Sequence, residues 1–227
     1  MKRLSLALLL LLSVFSGYAQ WDDEYKMEIG AGVGAMSYKG DFNGSLGKNL
    51  QPMATVVLRR VINPYMDVTA NLSYGTLSGD PRDVETEYPG MPDMKSFSNK
   101  VADVGLRYEY NFWPYGTGRD YRGARRITPF IFLGLGATYA DTDNGSEFTG
   151  NFPIGAGVKF KMATRLNLGV EWTMHFTWSD QLDGVADPYG IKSSGLFKNT
   201  DGYSALQVSL TYSFLPKCKT CNKDRDD

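Results

Sequence analysis

Apolar and polar residues alternate strictly along several parts of this chain. In the clearest case, residues 165–179, large apolar side chains occupy every second position and Asn, Gly, Glu, Thr, His or Ser fill the positions between them. Residues 102–112 and 206–214 repeat the pattern. A period of two places successive side chains on opposite faces of a strand, whereas a helix repeats every 3.6 residues. The pattern therefore predicts β-strands with one apolar and one polar face.

Five weaker segments bring the predicted number of strands to eight. They are residues 27–35, 50–59, 66–74, 131–139 and 152–160. The register of the poorest segment, 50–59, is predicted to turn these residues outward: Leu50, Pro52, Ala54, Val56 and Leu58. A strand of about ten or eleven residues, at about 3.3 Å each and tilted by about 40°, spans roughly 25 to 28 Å, the height of the apolar band of an outer-membrane barrel. We predict an all-β fold, an eight-stranded antiparallel transmembrane β-barrel.

The polar face consists mainly of small Gly, Ser, Thr and Asn residues with a few charges. This composition suits a crowded interior better than the solvated face of a soluble barrel or sandwich, which usually carries more Lys and Glu. Eight strands leave room only for side chains, so we expect a filled lumen without a diffusion channel. Buried charges must pair, so we predict an internal salt-bridge network. Its members are Glu28, Asp67, Asp103, Arg107, Glu109, Lys159 and Glu171, joined by Arg59 and, as a further candidate, Lys161.

Aromatic residues gather near both ends of the predicted strands. Such belts are expected at the two membrane interfaces, where rings with one polar and one apolar side are favoured. One predicted belt contains Tyr25, Tyr65, Phe112, Trp113, Phe160, Tyr212 and Phe214. The other contains Tyr38, Tyr74, Tyr139, Phe152, Trp178 and Tyr203.

The first residues of the chain have the order of a secretory signal peptide. Lys2 and Arg3 precede an apolar run over residues 4–15, and small residues follow before Gln20. The run is shorter than the roughly 20 residues of a membrane-spanning helix. We therefore divide the chain into a signal peptide (1–20), a barrel (21–215) and a periplasmic tail (216–227). Cleavage leaves 22 basic against 25 acidic residues, which makes nucleic acid a poor partner.

The connections predict an outer-membrane location with both termini in the periplasm. This orientation gives four outer loops and three inner turns, because the barrel has an even number of strands. The predicted outer loops are long, at 37–49, 77–100, 140–150 and 180–202, whereas 61–64 and 162–164 are short inner turns.

The third inner connection, 113–127, breaks this rule because it is long and basic. It carries Arg119, Arg122, Arg125 and Arg126. The cluster could be a solvated charge group or contact lipid phosphate at the inner rim. The alternative is a docking surface for a periplasmic protein, since clustered Arg side chains make bidentate contacts with carboxylates.

Catalytic and cofactor motifs are weak throughout the sequence. The one histidine, His175, is predicted to face the lumen, where a structural role outweighs a role in a nucleophile–base pair. Glycine-rich stretches such as 30–34 lie within strands rather than between a strand and a helix, so lumen packing explains them better than phosphate binding. No Walker loop, GxSxG or metal-ligand spacing occurs in the sequence. We expect a non-enzymatic protein with no cofactor.

The tail carries a CxxC pair, Cys218 and Cys221. Two cysteines are half of a zinc site and have no partners here, since His175 belongs to the barrel. A local disulfide is the default in an oxidising periplasm, and a redox role would need a thioredoxin-like unit that the sequence lacks. The tail could also contact a partner protein, with the cysteines fixing its turn.

The order of several short motifs resembles a known family, the small outer-membrane β-barrels of the Bacteroidetes that include PorG of the type IX secretion system. The motifs are Ala19-Gln20, Tyr38-Lys39-Gly40-Asp41, Asn111-Phe112-Trp113-Pro114-Tyr115-Gly116, Arg126-Ile127-Thr128-Pro129-Phe130, Asp187-Pro188-Tyr189-Gly190-Ile191 and Pro216-Lys217-Cys218-Lys219-Thr220-Cys221. The resemblance implies a non-enzymatic barrel in contact with outer-membrane lipid. It further implies association with a periplasmic secretion ring built from a lipoprotein and its partner protein.

Three functional hypotheses follow. The first is a structural or assembly component of that secretion system, docking through the Arg-rich connection and the cysteine tail. The second is a surface adhesion or ligand-binding barrel that acts through its outer loops 77–100 and 180–202. The third, least favoured, is a lipid-modifying enzyme with His175 as its candidate residue.

Overall fold

The computed structural model describes residues 25–39, 49–79, 97–116, 124–142, 145–178 and 202–216. The predicted signal peptide lies outside the described residues, as do Arg119, Arg122, Cys218 and Cys221.

Eight strands form one closed antiparallel barrel in which every strand pairs with its neighbours in sequence and β8 pairs with β1. They are β1 (Tyr25–Lys39), β2 (Gln51–Asn63), β3 (Met66–Gly79), β4 (Phe97–Asn111), β5 (Ile127–Thr142), β6 (Gly145–Lys161), β7 (Leu166–Thr177) and β8 (Gly202–Pro216). The predicted fold class is confirmed. In the described part of the chain, no helix is long and apolar enough to cross a membrane.

The two ends of the barrel differ. We call the end at which Tyr25 pairs with Pro216 the terminal rim; the connections 64–65, 112–126 and 162–165 lie there. The opposite end, the loop rim, receives the connections 40–50, 80–96, 143–144 and 178–201. The terminal rim is the predicted periplasmic end.

The alternating apolar and polar residues face the outside and the inside of the barrel, respectively. Val33, Leu135 and Leu106 are 68%, 61% and 59% exposed on the outer wall, whereas the polar residues between the apolar ones are buried in the lumen. The predicted register of the 50–58 segment is also confirmed, because Leu50 and Val56 point outward and Arg59 inward. A continuous apolar exterior around a polar interior is stable only in contact with lipid.

Seven of the eight strands are longer than predicted, at 13 to 17 residues, whereas β7, with 12 residues, is shorter than the predicted segment 165–179. This overturns the prediction of a long loop at 140–150, since β5 extends to Thr142 and β6 begins at Gly145. The Thr142 hydroxyl donates to the Gly145 carbonyl at 2.6 Å, and the φ of Gly145 is +138°, a conformation that glycine adopts without strain. The hairpin looks like a loop in the sequence because a strand that extends beyond the lipid has no apolar face.

The predicted aromatic belt is wrong for two tyrosines, Tyr38 and Tyr203, because both are buried inside the barrel. The alternation that turns Ala35 and Leu206 toward lipid continues unbroken, and so turns these tyrosines inward. They belong to an apolar seal inside the barrel toward the loop rim. The seal consists of Met36, Tyr38, Met53, Leu77, Val101, Ala140, Tyr203 and Ala205.

Candidate functional site

Ion pairs fill the half of the lumen that lies nearer the terminal rim. Arg59 is their first centre: its Nη1 lies 2.7 Å from Glu28 Oε2 and its Nε lies 3.0 Å from Glu109 Oε2. Arg59 and Glu28 are register partners on adjacent strands, so their side chains start side by side. Glu28 also accepts a hydrogen bond from the Thr211 hydroxyl at 3.2 Å, which ties β8 to this pair across the closing seam.

Arg107 is the second centre. Its Nη1 and Nη2 donate to the two oxygens of Glu171 at 2.6 and 2.7 Å, and its Nε donates to Glu109 at 2.9 Å. The bidentate geometry is the strong form of this contact. The Arg107 guanidinium also lies 4.3 Å from the centre of the Phe132 ring. Gln207 donates a further hydrogen bond to Glu171.

Lys159 completes the network. Its Nζ lies 2.7 Å from Asp67 Oδ2 and 2.6 Å from Glu109 Oε2, and it donates to Asn111 Oδ1 at 3.0 Å. Glu109 is therefore shared by Arg59, Arg107 and Lys159. Six of the seven residues expected in the lumen network lie in this one cluster together with Arg59.

Asp103, the seventh, is buried in the lumen but lies outside the cluster. It accepts hydrogen bonds from Tyr203 at 2.9 Å, from Thr138 at 3.1 Å and from Asn151. Its ion-pair contact in the described chain is to His175 Nδ1, at 3.9 Å. His175 is buried in the lumen and stacks on Tyr203 with ring centres 4.2 Å apart.

In the described part of the long connection, Tyr115 makes hydrogen bonds to two other parts of the terminal rim. Tyr115 N donates to the Pro64 carbonyl at 3.0 Å, and the Tyr115 hydroxyl donates to Asn167 Oδ1 of β7 at 3.1 Å. Burial raises the pKa of the Tyr115 phenol, which keeps this hydroxyl protonated as a donor. These hydrogen bonds hold Tyr115 to the β2–β3 turn and to β7.

The same connection presents an exposed Arg–Trp pair. Arg125 exchanges backbone hydrogen bonds with Pro114 (2.7 Å) and Gly116 (3.1 Å), and its guanidinium lies 4.8 Å from the centre of the Trp113 ring. Arg126 is exposed beside it. Of the four arginines predicted to form a docking surface, these two are the ones described.

Exposed charges at the terminal rim are all basic among the described residues. They are Lys26, Arg60, Arg125, Arg126 and Arg165. The two described acidic side chains that are not buried, Asp141 and Glu147, both lie toward the loop rim. Among the described residues, exposed positive charge therefore gathers at the terminal rim, and the acidic side chains outside the lumen lie toward the other end.

Arg165, which was not predicted from the sequence, contacts both β1 and β8, the two strands whose pairing closes the barrel. It donates to the hydroxyl of Tyr25 at 2.8 Å and to that of Tyr212 at 2.9 Å. The hydrogen bonds to Tyr212 and Tyr25 raise the pKa of the Arg165 guanidinium above its ordinary value. The contacts of Tyr115 were not predicted either. The sequence cue was the Pro-Tyr-Gly run of residues 114–116, which lies in a connection too long for a tight turn.

Several solved structures of small outer-membrane barrels are similar to this chain. Neisserial surface protein A (NspA) matches with a TM-score of 0.50 at 13% identity, over 83% of this chain and 97% of its own. The attachment invasion locus protein Ail of Yersinia pestis, solved with the heparin analogue sucrose octasulfate, matches with a TM-score of 0.49 at 13% identity, over 84% and 99%. The N-terminal barrel domain of Pseudomonas aeruginosa OprF gives 0.41 at 13% identity, over 83% and 99%.

The fold and the apolar exterior are those of an outer-membrane β-barrel. No curated protein matches the chain in sequence. A family described as Domain of unknown function (DUF6089) matches residues 2–223. This match covers the entire barrel, from β1 to β8, and so the chain belongs to the DUF6089 family.

Proposed function

We propose that this protein is a non-enzymatic outer-membrane barrel that docks a periplasmic protein at its terminal rim. The sequence resemblance suggests the partner: the lipoprotein of the type IX secretion ring together with its partner protein. In this orientation both termini and the cysteine tail are periplasmic. The observation that carries the proposal is the concentration of exposed basic side chains at this rim.

Charge segregation favours a partner with an acidic surface. Five exposed basic side chains lie at the terminal rim, and the described acidic residues outside the lumen lie at the other end. Complementary charge steers association and fixes the orientation of a complex. Arginine in particular makes bidentate contacts with carboxylates.

The Arg125–Trp113 pair has the character of a binding hot spot. Trp and Arg dominate the energetics of protein interfaces, and Trp113 is 39% exposed. The backbone that carries the pair is held by its own hydrogen bonds and by Tyr115. A surface that is already ordered loses less conformational entropy when a partner binds.

The buried position of the ionisable groups supports a non-enzymatic role. An enzyme acting on lipid needs its acid, base or nucleophile at the lipid or aqueous interface. His175 and the described lumen carboxylates are instead at most 6% exposed, inside a barrel wall and below an apolar seal.

The test is charge reversal at the terminal rim. Arg125→Glu combined with Arg126→Glu should greatly reduce co-purification of the periplasmic ring proteins after gentle detergent extraction. Lys100→Glu is the matched control, because Lys100 is an exposed basic residue of β4 on the loop-rim side, opposite Asp141. This control should bind as the wild type does.

Two outcomes would contradict the proposal. In the first, no ring lipoprotein or partner protein co-purifies with the wild-type barrel. In the second, the double charge reversal leaves co-purification unchanged. If deletion of loop 180–201 abolishes function while the charge reversal does not, the adhesion hypothesis replaces this one.

A further inference from the structure

The buried charges of the described lumen do not balance. Five carboxylates are buried against four Lys and Arg side chains, and Lys161 is the fourth cation beside the three that centre the network. Four of the carboxylates lie in that network. Asp103 is the fifth, and it forms no ion pair with a described Lys or Arg. A buried carboxylate requires a compensating positive charge, or it loses its own charge by taking up a proton.

The neutral donors around Asp103 satisfy only one of its oxygens. The hydroxyls of Tyr203 and Thr138 and the amide of Asn151 all donate to Oδ2. Oδ1 is buried and has no hydrogen-bond partner. His175 Nδ1 is likewise buried without a hydrogen-bond partner.

Asp103 and His175 both line a cavity of about 10 Å³ between the ion-pair network and the apolar seal. This volume holds one particle the size of a water molecule. Asn71, Ser73 and Thr173 also line it and bring neutral side-chain oxygens. Several side-chain oxygens thus line the cavity, together with the one buried carboxylate that pairs with no described Lys or Arg.

We propose that this cavity binds a single monovalent cation, Na⁺ or K⁺, with Asp103 as the charged ligand. Oxygen ligands suit hard cations. A charge of +1 balances the fifth carboxylate, whereas a divalent ion would leave a surplus positive charge inside the barrel. In the described chain no three His, Cys, Asp or Glu residues come together, so the donor set is not that of a zinc site.

Arg107, which also lines the cavity, does not supply the missing charge. Its guanidinium nitrogens contact Glu171 and Glu109. A proton on His175 would supply the same charge as a cation. A bound cation makes the stability of the barrel depend on the identity of the cation, whereas a proton on His175 makes it depend on pH.

The test uses the mature full chain refolded into lipid vesicles. Urea unfolding is measured in NaCl, KCl or N-methyl-D-glucamine chloride at one ionic strength and one pH, because the large organic cation cannot enter the cavity. At a cation concentration about ten times the dissociation constant, the ratio of folded to unfolded protein should rise about tenfold over that in N-methyl-D-glucamine.

Asp103→Asn should remove this difference, since the amide has nearly the same shape without the charge. Asp141→Asn is the matched control: Asp141 is an exposed carboxylate of β5, and its loss should leave the cation dependence intact. Because Asp103→Asn could prevent folding, wild-type protein refolded and crystallised in RbCl gives an independent measurement. An anomalous Rb⁺ peak beside Asp103 Oδ1 is expected.

Three results would overturn the proposal. They are equal stability in all three salts, a cation dependence that persists in Asp103→Asn, and the absence of a Rb⁺ peak. Stability that changes with pH around the titration of histidine, but not with the cation, would assign the charge to His175 instead.

Discussion

Arg107 offers the sharpest test of the buried network. Its side chain is 3% exposed and makes two bonds to Glu171 and one to Glu109. Arg107→Met replaces it with an unbranched apolar side chain that fits much of the same space. Glu109 keeps Arg59 and Lys159, but Glu171 is left buried without a cation. Removing one partner of a buried ion pair costs about 3–5 kcal/mol, and we expect a loss of this size.

The assay is reversible urea unfolding of the barrel in lipid vesicles, followed by tryptophan fluorescence. Leu106→Met is the matched control because Leu106 is the neighbouring residue on the lipid face, 59% exposed; it should lose less than about 1.5 kcal/mol. Adding Glu171→Gln to Arg107→Met should recover much of the loss, since the uncompensated charge is then gone. A loss below about 1 kcal/mol for Arg107→Met, or a double variant no more stable than the single one, would refute the reasoning.

Three further predictions concern closure, capping and conduction. Gly30→Ala should prevent formation of the heat-modifiable folded band on gels, because an added Cβ would overlap the Leu210 carbonyl oxygen across the β1–β8 seam; Gly169→Ala, whose nearest contact is the movable Ser209 hydroxyl at 2.9 Å, should still fold. Tyr115→Phe removes the bond to Asn167 and should lower the unfolding free energy by about 1 kcal/mol, whereas an unchanged value would show that the bond is not formed. The wild-type barrel in planar bilayers should show no steady conductance, and a large stable open state would contradict a filled lumen.

The sequence predicted the faces of the strands but not their ends. Within the lipid a wrong face is costly, so even the poor segment around Val56 shows its register. Beyond the lipid the same strands have water outside, and the apolar alternation is no longer required. This is why residues 140–150 have the sequence pattern of a loop, and why the sequence does not show that Tyr38 and Tyr203 face the lumen.

The lumen partners depend on the closure of the barrel as well as on alternation. Glu28 and Arg59 are adjacent through a single strand pairing, but Arg107 and Glu171 lie on β4 and β7, which do not pair. Nothing in their spacing predicts a bidentate contact. The same holds for Asp103 and His175, which also lie on β4 and β7, and for Tyr115 and Asn167, where a connection at the rim contacts a strand distant in sequence.

Hydrogen bonds connect the lumen to the proposed docking surface. Tyr115, which anchors the connection carrying Arg125, bonds to Asn167; Asn167 Oδ1 also accepts from Lys161 Nζ at 3.1 Å, and its amide donates to Ser213 at 2.9 Å. A substitution inside the lumen at this level would therefore loosen the connection without removing any exposed arginine. Partner binding that falls in such a variant would report lost preorganisation rather than a lost contact, and only charge reversal at Arg125 and Arg126 isolates the surface itself.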